Sequence, residues 1–274
     1  MFNYEQKRIL IWGKTAPELS DRHTETVCTG GVLEDGTPVR LYPIPFRYLE
    51  GEQKFHNYQW ITAEIAKDLR DARPESHRVK ENSIVCDEVL PSSADEWGVR
   101  GQHIFKSSEW QFDSLEDLVD RERVDKTSIG IVEPKEIIKV SIKNRTPEEK
   151  AEFDRKFADL LKENEFKRSQ HMLFEGDYTV PELKNLPFVE NRLQLHWRCA
   201  GSECKTHNTQ VMDWGVIELQ RKVGMEKARE RLEEICDLGI YALKFYMGNI
   251  KSHPERFTIV GLWYPKRATD RLFV

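Results

Sequence analysis

The chain of 274 residues has no long apolar run. No stretch approaches the ~20 apolar residues that a membrane-crossing helix needs, which predicts no membrane partner. The apolar run near the start, Ile9-Leu10-Ile11-Trp12, is not followed by a small-residue cleavage site, so it reads as a strand rather than a signal peptide. Cysteine is sparse and odd in number, five in all (28, 86, 199, 204 and 236), unlike a secreted disulfide framework; reduced thiols and a cytoplasmic location are expected. Low-complexity linkers and internal repeats are missing. So are a Walker loop, a G-x-G-x-x-G turn, a G-x-S-x-G elbow and a His-Glu-x-x-His helix. With 42 Lys and Arg against 47 Asp and Glu, the net charge of −5 announces no nucleic-acid partner, and any such reading has to rest on local patches.

What is present is a hydrophobic content of 39% beside 32% charged residues, enough for a real core under a heavily charged surface. The first ~90 residues read as β. Residues 25–33 and 38–43 flank Glu34-Asp35-Gly36-Thr37, a strong hairpin signal. Period-2 alternation puts Val39 and Leu41 on one face and Arg40 and Tyr42 on the other. Ile61, Ala63 and Ile65 likewise oppose Trp60, Thr62 and Glu64. Short strands with tight turns predict a small OB-like barrel over residues 1–92. A connecting segment follows over 93–132, with a helix capped by Ser114. An α/β domain then spans 133–274, and the fold class is α+β with the two halves packed together. Thr146-Pro147-Glu148-Glu149 is a capping box opening a helix to about Glu163. Further helices are expected from Trp214 and from Met225, and a buried strand over 257–264.

The second half carries His196-Trp-Arg-Cys199 and Cys204-Lys-Thr-His207. Zinc takes thiolates and imidazoles in a tetrahedron, and pairs separated by two to four residues supply that geometry. Cys199, Cys204, His207 and His196 are therefore candidate ligands of a structural zinc in a zinc-knuckle-like hairpin, with Gly201 turning the loop. Should His196 not ligate, Asp213 or a distant residue would complete the set. The bland alternative is a plain hairpin whose cysteines pack as small apolar residues. Asp213 precedes a helix, where Asp commonly caps; a catalytic carboxylate is its other reading.

Arg40, Tyr42, Arg47, Lys54, Tyr58, Trp60, Arg73 and Arg78 interleave aromatics with cations over the N-terminal half. That pattern suits stacking on exposed bases with cations along the phosphates. The competing reading buries Trp60 and Tyr42 against the C-terminal half. Residues 244–274 hold six basic residues, Lys244, Lys251, Arg256, Lys266, Arg267 and Arg271, as a second candidate phosphate surface.

Gly13-Lys14-Thr15, Glu25-Thr26-Val27-Cys28, Arg40-Leu41-Tyr42-Pro43, Tyr58-Gln59-Trp60-Ile61 and Arg73-Pro74-Glu75-Ser76 resemble a family of uncharacterised bacterial proteins. The Cys199/Cys204/His207 cluster, Asp213-Trp214 and residues 257–265 belong to the same pattern. Glu often follows the Asp-Trp pair in that family, whereas Gly215 stands here, which weakens a catalytic role at that position. The hairpin over residues 28–40 is similar to dual OB-containing domains of bacterial conflict systems. That resemblance implies an OB-like barrel and a nucleic-acid or nucleotide role. The expectation is thus a protein binding single-stranded or modified nucleic acid, in a phage-defence or mobile-element system with partner proteins of that system. The alternative is an enzyme on nucleic acid or nucleotides with its site between the halves.

Overall fold

The computed structural model describes residues 2–20, 24–91, 97–173, 181–200 and 204–267. Gly201, Arg271 and the expected boundary at residues 92/93 lie outside them.

The N-terminal strands are β1 (Glu5–Lys14), β2 (Glu18–Ser20), β3 (Thr24–Leu33), β4 (Pro38–Ile44), β5 (Gln59–Lys67), β6 (Ser76–Val79) and β7 (Val85–Val89). Five of them close a barrel: β1 pairs with β3, β3 with β4, β4 in parallel with β6, β6 with β5, and β5 back with β1. One parallel pairing in an otherwise antiparallel closed ring is the Greek-key closure of an OB-like barrel. Alternation chooses what fills it. Ile9, Ile11, Val39, Leu41, Ile61, Ala63 and Ile65 point inward and form its core. Just after Arg73-Pro74-Glu75, Ser76–Val79 supplies β6, the strand that closes the barrel.

Next come α1 (Trp97–Ile104), β8 (Gln111–Phe112), α2 (Leu115–Asp125), β9 (Ile129–Val132), β10 (Pro134–Asn144), α3 (Pro147–Leu173), β11 (Asn191–Cys199), β12 (His207–Gln210), α4 (Trp214–Val223), α5 (Met225–Ile235), β13 (Lys244–Ile250) and β14 (His253–Trp263). Segment 93–132 does more than connect, since β8 and β9 complete a four-stranded sheet in the order β14-β13-β9-β8. A separate three-stranded sheet runs β10-β11-β12. The sequence-read caps form. Ser114 Oγ accepts from Asp117 N at 3.0 Å, and Thr146 and Glu149 exchange backbone-to-side-chain bonds at 2.8 and 3.2 Å. Helix α3 outruns its expected end at Glu163 because no Gly or Pro follows directly, and Lys167 pairs with Glu163 one turn back.

Between barrel and C-terminal half lies a second core. Leu10, Trp12, Val32 and Trp60, on the outer wall of the barrel, pack with Trp110, Ile129, Ile131, Tyr246 and Trp263. Trp12 stacks on Tyr246 at 4.7 Å between ring centroids. The indole of Trp12 also lies flat over Gly30, where a Cβ would fall 2.0 Å from the ring, so only glycine admits this approach. Among the described residues no helix is long and apolar enough to cross a membrane.

Candidate functional site

Strand β11 pairs antiparallel with β12, placing Trp197 opposite His207, so Cys199, Cys204 and His207 meet at the hairpin end. Cys199 Sγ lies 2.9 Å from Cys204 Sγ and 3.4 Å from His207 Nε2, and Cys204 Sγ lies 3.2 Å from the same nitrogen. The fourth donor is Glu116, whose Oε2 sits 3.3 Å from Cys199 Sγ and 3.5 Å from His207 Nε2. These atoms lie within 4.8 Å of one another, and the Glu/Cys/Cys/His cluster can hold a metal ion. Burial lowers the pKa of His207, opposed by the Glu116 carboxylate, which favours the neutral imidazole that ligation requires. The ring rests on Trp197 at 4.6 Å.

His196 is not part of the cluster. In a continuous strand, residues three apart face opposite ways, so Cys199 points in with Leu195 and Trp197 while His196 points out. Its Nε2 meets Ser141 Oγ at 2.9 Å. Strand parity could have revealed this. Nothing in the sequence pointed to Glu116, which lies 83 positions before Cys199 in the first turn of a helix.

The outward face of the β10–β11–β12 sheet is polar. Lys139 stands opposite His196, Ser141 opposite Gln194, Lys143 opposite Arg192, and across the next ladder Gln194 faces Gln210 and His196 faces Asn208. Arg198 pairs with Glu136 at 3.3 Å. Arg192 reaches Gln210 and Glu149. Among the described residues Lys139, Lys143 and Lys205 have no ion-pair partner.

The expected N-terminal stacking face is largely buried. OB-like barrels bind along the outer face of their second and third strands, here β3 and β4. That face is covered by the C-terminal half. Arg40, 4% exposed, donates to Asn249 O and Ser128 O, both at 2.8 Å. Glu75, from the connection before β6, accepts from Ser128 N and Oγ at 3.1 and 2.8 Å. Trp60 and Tyr58 are buried in the inter-half core and cannot stack on bases. Tyr42 stays exposed at the far end of β4, its hydroxyl accepting from Thr26 Oγ1 at 3.3 Å. Arg47 pairs with buried Glu25, Arg73 with Asp71 and Arg78 with Asp68. Lys54 is exposed. The structure does not gather these residues into one surface. The C-terminal basic stretch is also dispersed: Lys244 pairs with Glu133, Lys251 donates to Arg70 O, and Arg267 to Leu238 O.

Asp213 caps α4, accepting from Val216 N at 2.9 Å. Burial raises its pKa to about 6, opposed by backbone N–H groups and by Lys14. Lys14 donates to Phe55 O at 2.9 Å, and burial pushes its pKa down to about 8. The neighbours of Asp213, Met212 and Trp214, line a cleft of about 400 Å³ between the halves. Arg145, Arg192 and Arg221 in that lining already pair with Glu149 and Glu218, and Arg47 pairs with Glu25. The cleft therefore offers an anionic nucleotide little unspent positive charge.

Comparison with the curated proteins finds no match. Two family models do match, and they meet in the segment between α1 and β8. Residues 5–106, the barrel with α1, match the Domain of unknown function (DUF8758). Residues 111–274, more than half of the chain and carrying the whole Glu/Cys/Cys/His cluster, match a second model, and the chain belongs to that family, the Domain of unknown function (DUF8757).

Proposed function

We propose that the protein binds nucleic acid through the outer face of the β10–β11–β12 sheet, and that a zinc ion at Glu116, Cys199, Cys204 and His207 stiffens the end of that face. One observation carries the reading. Lys139 and Lys143 present uncommitted charge among the amides of Gln194, Asn208 and Gln210 on paired strands, and Lys205, also without an ion-pair partner, lies in the connection that leads into β12. Ammonium groups meet phosphates, and side-chain amides meet sugars and base edges. Apart from the His196 imidazole, which is bonded to Ser141, the described face carries no aromatic ring, so phosphate contacts rather than base stacking supply the affinity.

The donor set supports zinc. With Zn–S near 2.3 Å and Zn–N or Zn–O near 2.0–2.1 Å, a tetrahedron has S···N and S···O edges of about 3.5 Å and an N···O edge of about 3.4 Å. Four of the edges here, Cys199–Glu116, Cys199–His207, Cys204–His207 and Glu116–His207, are 3.2 to 3.5 Å. The 2.9 Å sulfur pair falls furthest short of its tetrahedral value, about 3.7 Å, and seating an ion opens it.

Anisotropy of labelled oligonucleotides tests the reading. Binding should weaken with salt, and Lys139→Ala/Lys143→Ala/Lys205→Ala should reduce the log–log salt slope by about 2, at ~0.7 per lost single-strand contact. Equal slopes for the triple variant and the unaltered protein would refute this surface.

A further inference from the structure

We propose that the metal centre has three fixed corners and one exchangeable corner: Cys199, Cys204 and His207 retain the ion, and Glu116 yields its position to water or a small anion. This rests on the reading that the cluster binds a metal.

The asymmetry is built into where the ligands come from. Cys199 and His207 are held by the β11–β12 ladder, Cys199 is buried, and the imidazole is packed against Trp197. Cys204 lies in the short connection between them, its sulfur also accepting from Cys199 N at 3.1 Å. Three donors thus come from nine consecutive positions of one hairpin. Glu116 comes from α2, through two rotatable methylenes, and its side chain is 45% exposed. Its contacts at the cluster are with the Cys199 thiol and the His207 imidazole, both of which would themselves turn to the ion.

Chemistry points the same way. Two thiolates neutralise a divalent ion, so a carboxylate adds a net negative charge that a water would not. A hard carboxylate is also the odd member of a set of soft sulfurs and a borderline nitrogen. Two thiolates and one imidazole with a fourth position open to solvent is a donor set that catalytic zinc sites use, whereas structural sites close all four corners with Cys and His. Were an ion held by Cys199, Cys204 and His207, the displaced Glu116 carboxylate would stay tethered beside the open corner, where it could serve as a proton acceptor for a water bound there. The ligand class is therefore water or hydroxide and small anions that replace it.

Cobalt(II) is the probe, because its visible bands report coordination directly. The full chain, purified metal-free, is titrated with cobalt(II) and then with azide, alongside Glu116→Ala and Glu116→Gln. Both substitutions fall at an exposed position and leave the Ser114 cap intact. Each variant should still take up one equivalent, with affinity lowered about tenfold, the smaller end of what lost supporting contacts cost. Azide should shift the visible bands of both variants at lower concentration than it shifts those of the unaltered protein. Loss of stoichiometric cobalt in both variants would make Glu116 a retaining ligand and overturn the inference, as would bands indifferent to azide in all three proteins. If the unaltered protein takes up no cobalt or zinc, the metal reading itself fails, a result separable from either of the others.

Discussion

A guanidinium enclosed at 4% exposure has to find acceptors for its donors, and Arg40 finds two backbone carbonyls of the opposite half, Asn249 O on β13 and Ser128 O just before β9. Ser128 O also accepts from Asn249 N at 3.0 Å, so the guanidinium adds a second donor there and gives Asn249 O a charged donor in a place that water does not reach. Arg40→Ala takes a donor from each carbonyl, leaving Ser128 O only its bond from Asn249 N, and opens a cavity. A hydrogen bond to a charged group contributes about 1.5–3 kcal/mol, and with two such bonds lost and the burial cost of the guanidinium removed the expected net cost is about 2–4 kcal/mol in denaturant unfolding. Arg78→Ala removes one partly exposed ion pair with Asp68 and should cost under about 1 kcal/mol. Equal midpoints for the two variants would refute the role given to Arg40. Alternation placed Arg40 correctly, on the face away from the barrel core. What lay on that face was not legible, because its partners lie 88 and 209 positions along the chain.

Element by element, legibility followed periodicity and caps. Strands β1, β4 and β5 announce themselves by alternation or by a hairpin turn, and α2 and α3 by their capping residues. Strand β13 was missed: Lys-Phe-Tyr-Met-Gly-Asn-Ile has no alternation, since Phe245, Tyr246 and Met247 are all buried. Helix α4 carries a consequence of its cap. Asp213 has a folded pKa of about 6, above its ordinary 3.8, so its contribution to stability is complete below 3.8 and is lost as pH rises through 6. Lys14 has the opposite sign: its folded pKa of about 8 lies below 10.5, so its contribution is present above 10.5 and lost as pH falls through 8. Between pH 6 and 8 both groups are charged and enclosed, and both penalties apply. Asn caps as well as Asp, so Asp213→Asn keeps the helix start and removes one penalty. The variant should match the unaltered protein in Tm near pH 4 and exceed it at pH 7.5, by at most about 2–3 kcal/mol of stability. A difference in Tm that does not change with pH would show that the charge on Asp213 is not what burial penalises.

At the scale of the whole molecule, the face on which OB-like barrels ordinarily hold ligands is occupied by the protein's own C-terminal half. Two of the aromatics that looked suited to stacking on bases meet the protein's own rings instead, Tyr58 edge-on to Trp97 at 5.5 Å and Trp60 edge-on to His103 at 5.1 Å, beside Trp12 stacked on Tyr246. Composition cannot tell these two fates apart, because a base and an indole make the same demand on a neighbouring ring. Magnitude decides what the packing does for the fold. A large aromatic buries ~150–250 Å², worth about 4–6 kcal/mol at ~25 cal/mol per Å². Trp12 and Trp60 are each 2% exposed, and even half of that value for the pair approaches the ~5–15 kcal/mol by which a whole domain is stable. The barrel should therefore not stand alone. A chain ending after α1, at residue 106, would expose Leu10, Trp12, Val32 and Trp60 together, and it should precipitate or bind a hydrophobic dye. The full chain should unfold in one calorimetric transition, with calorimetric and van't Hoff enthalpies equal. Two separate transitions, or a well-folded barrel from residues 2–106, would mean that the inter-half core is a contact between independent domains and not the common interior of one folding unit.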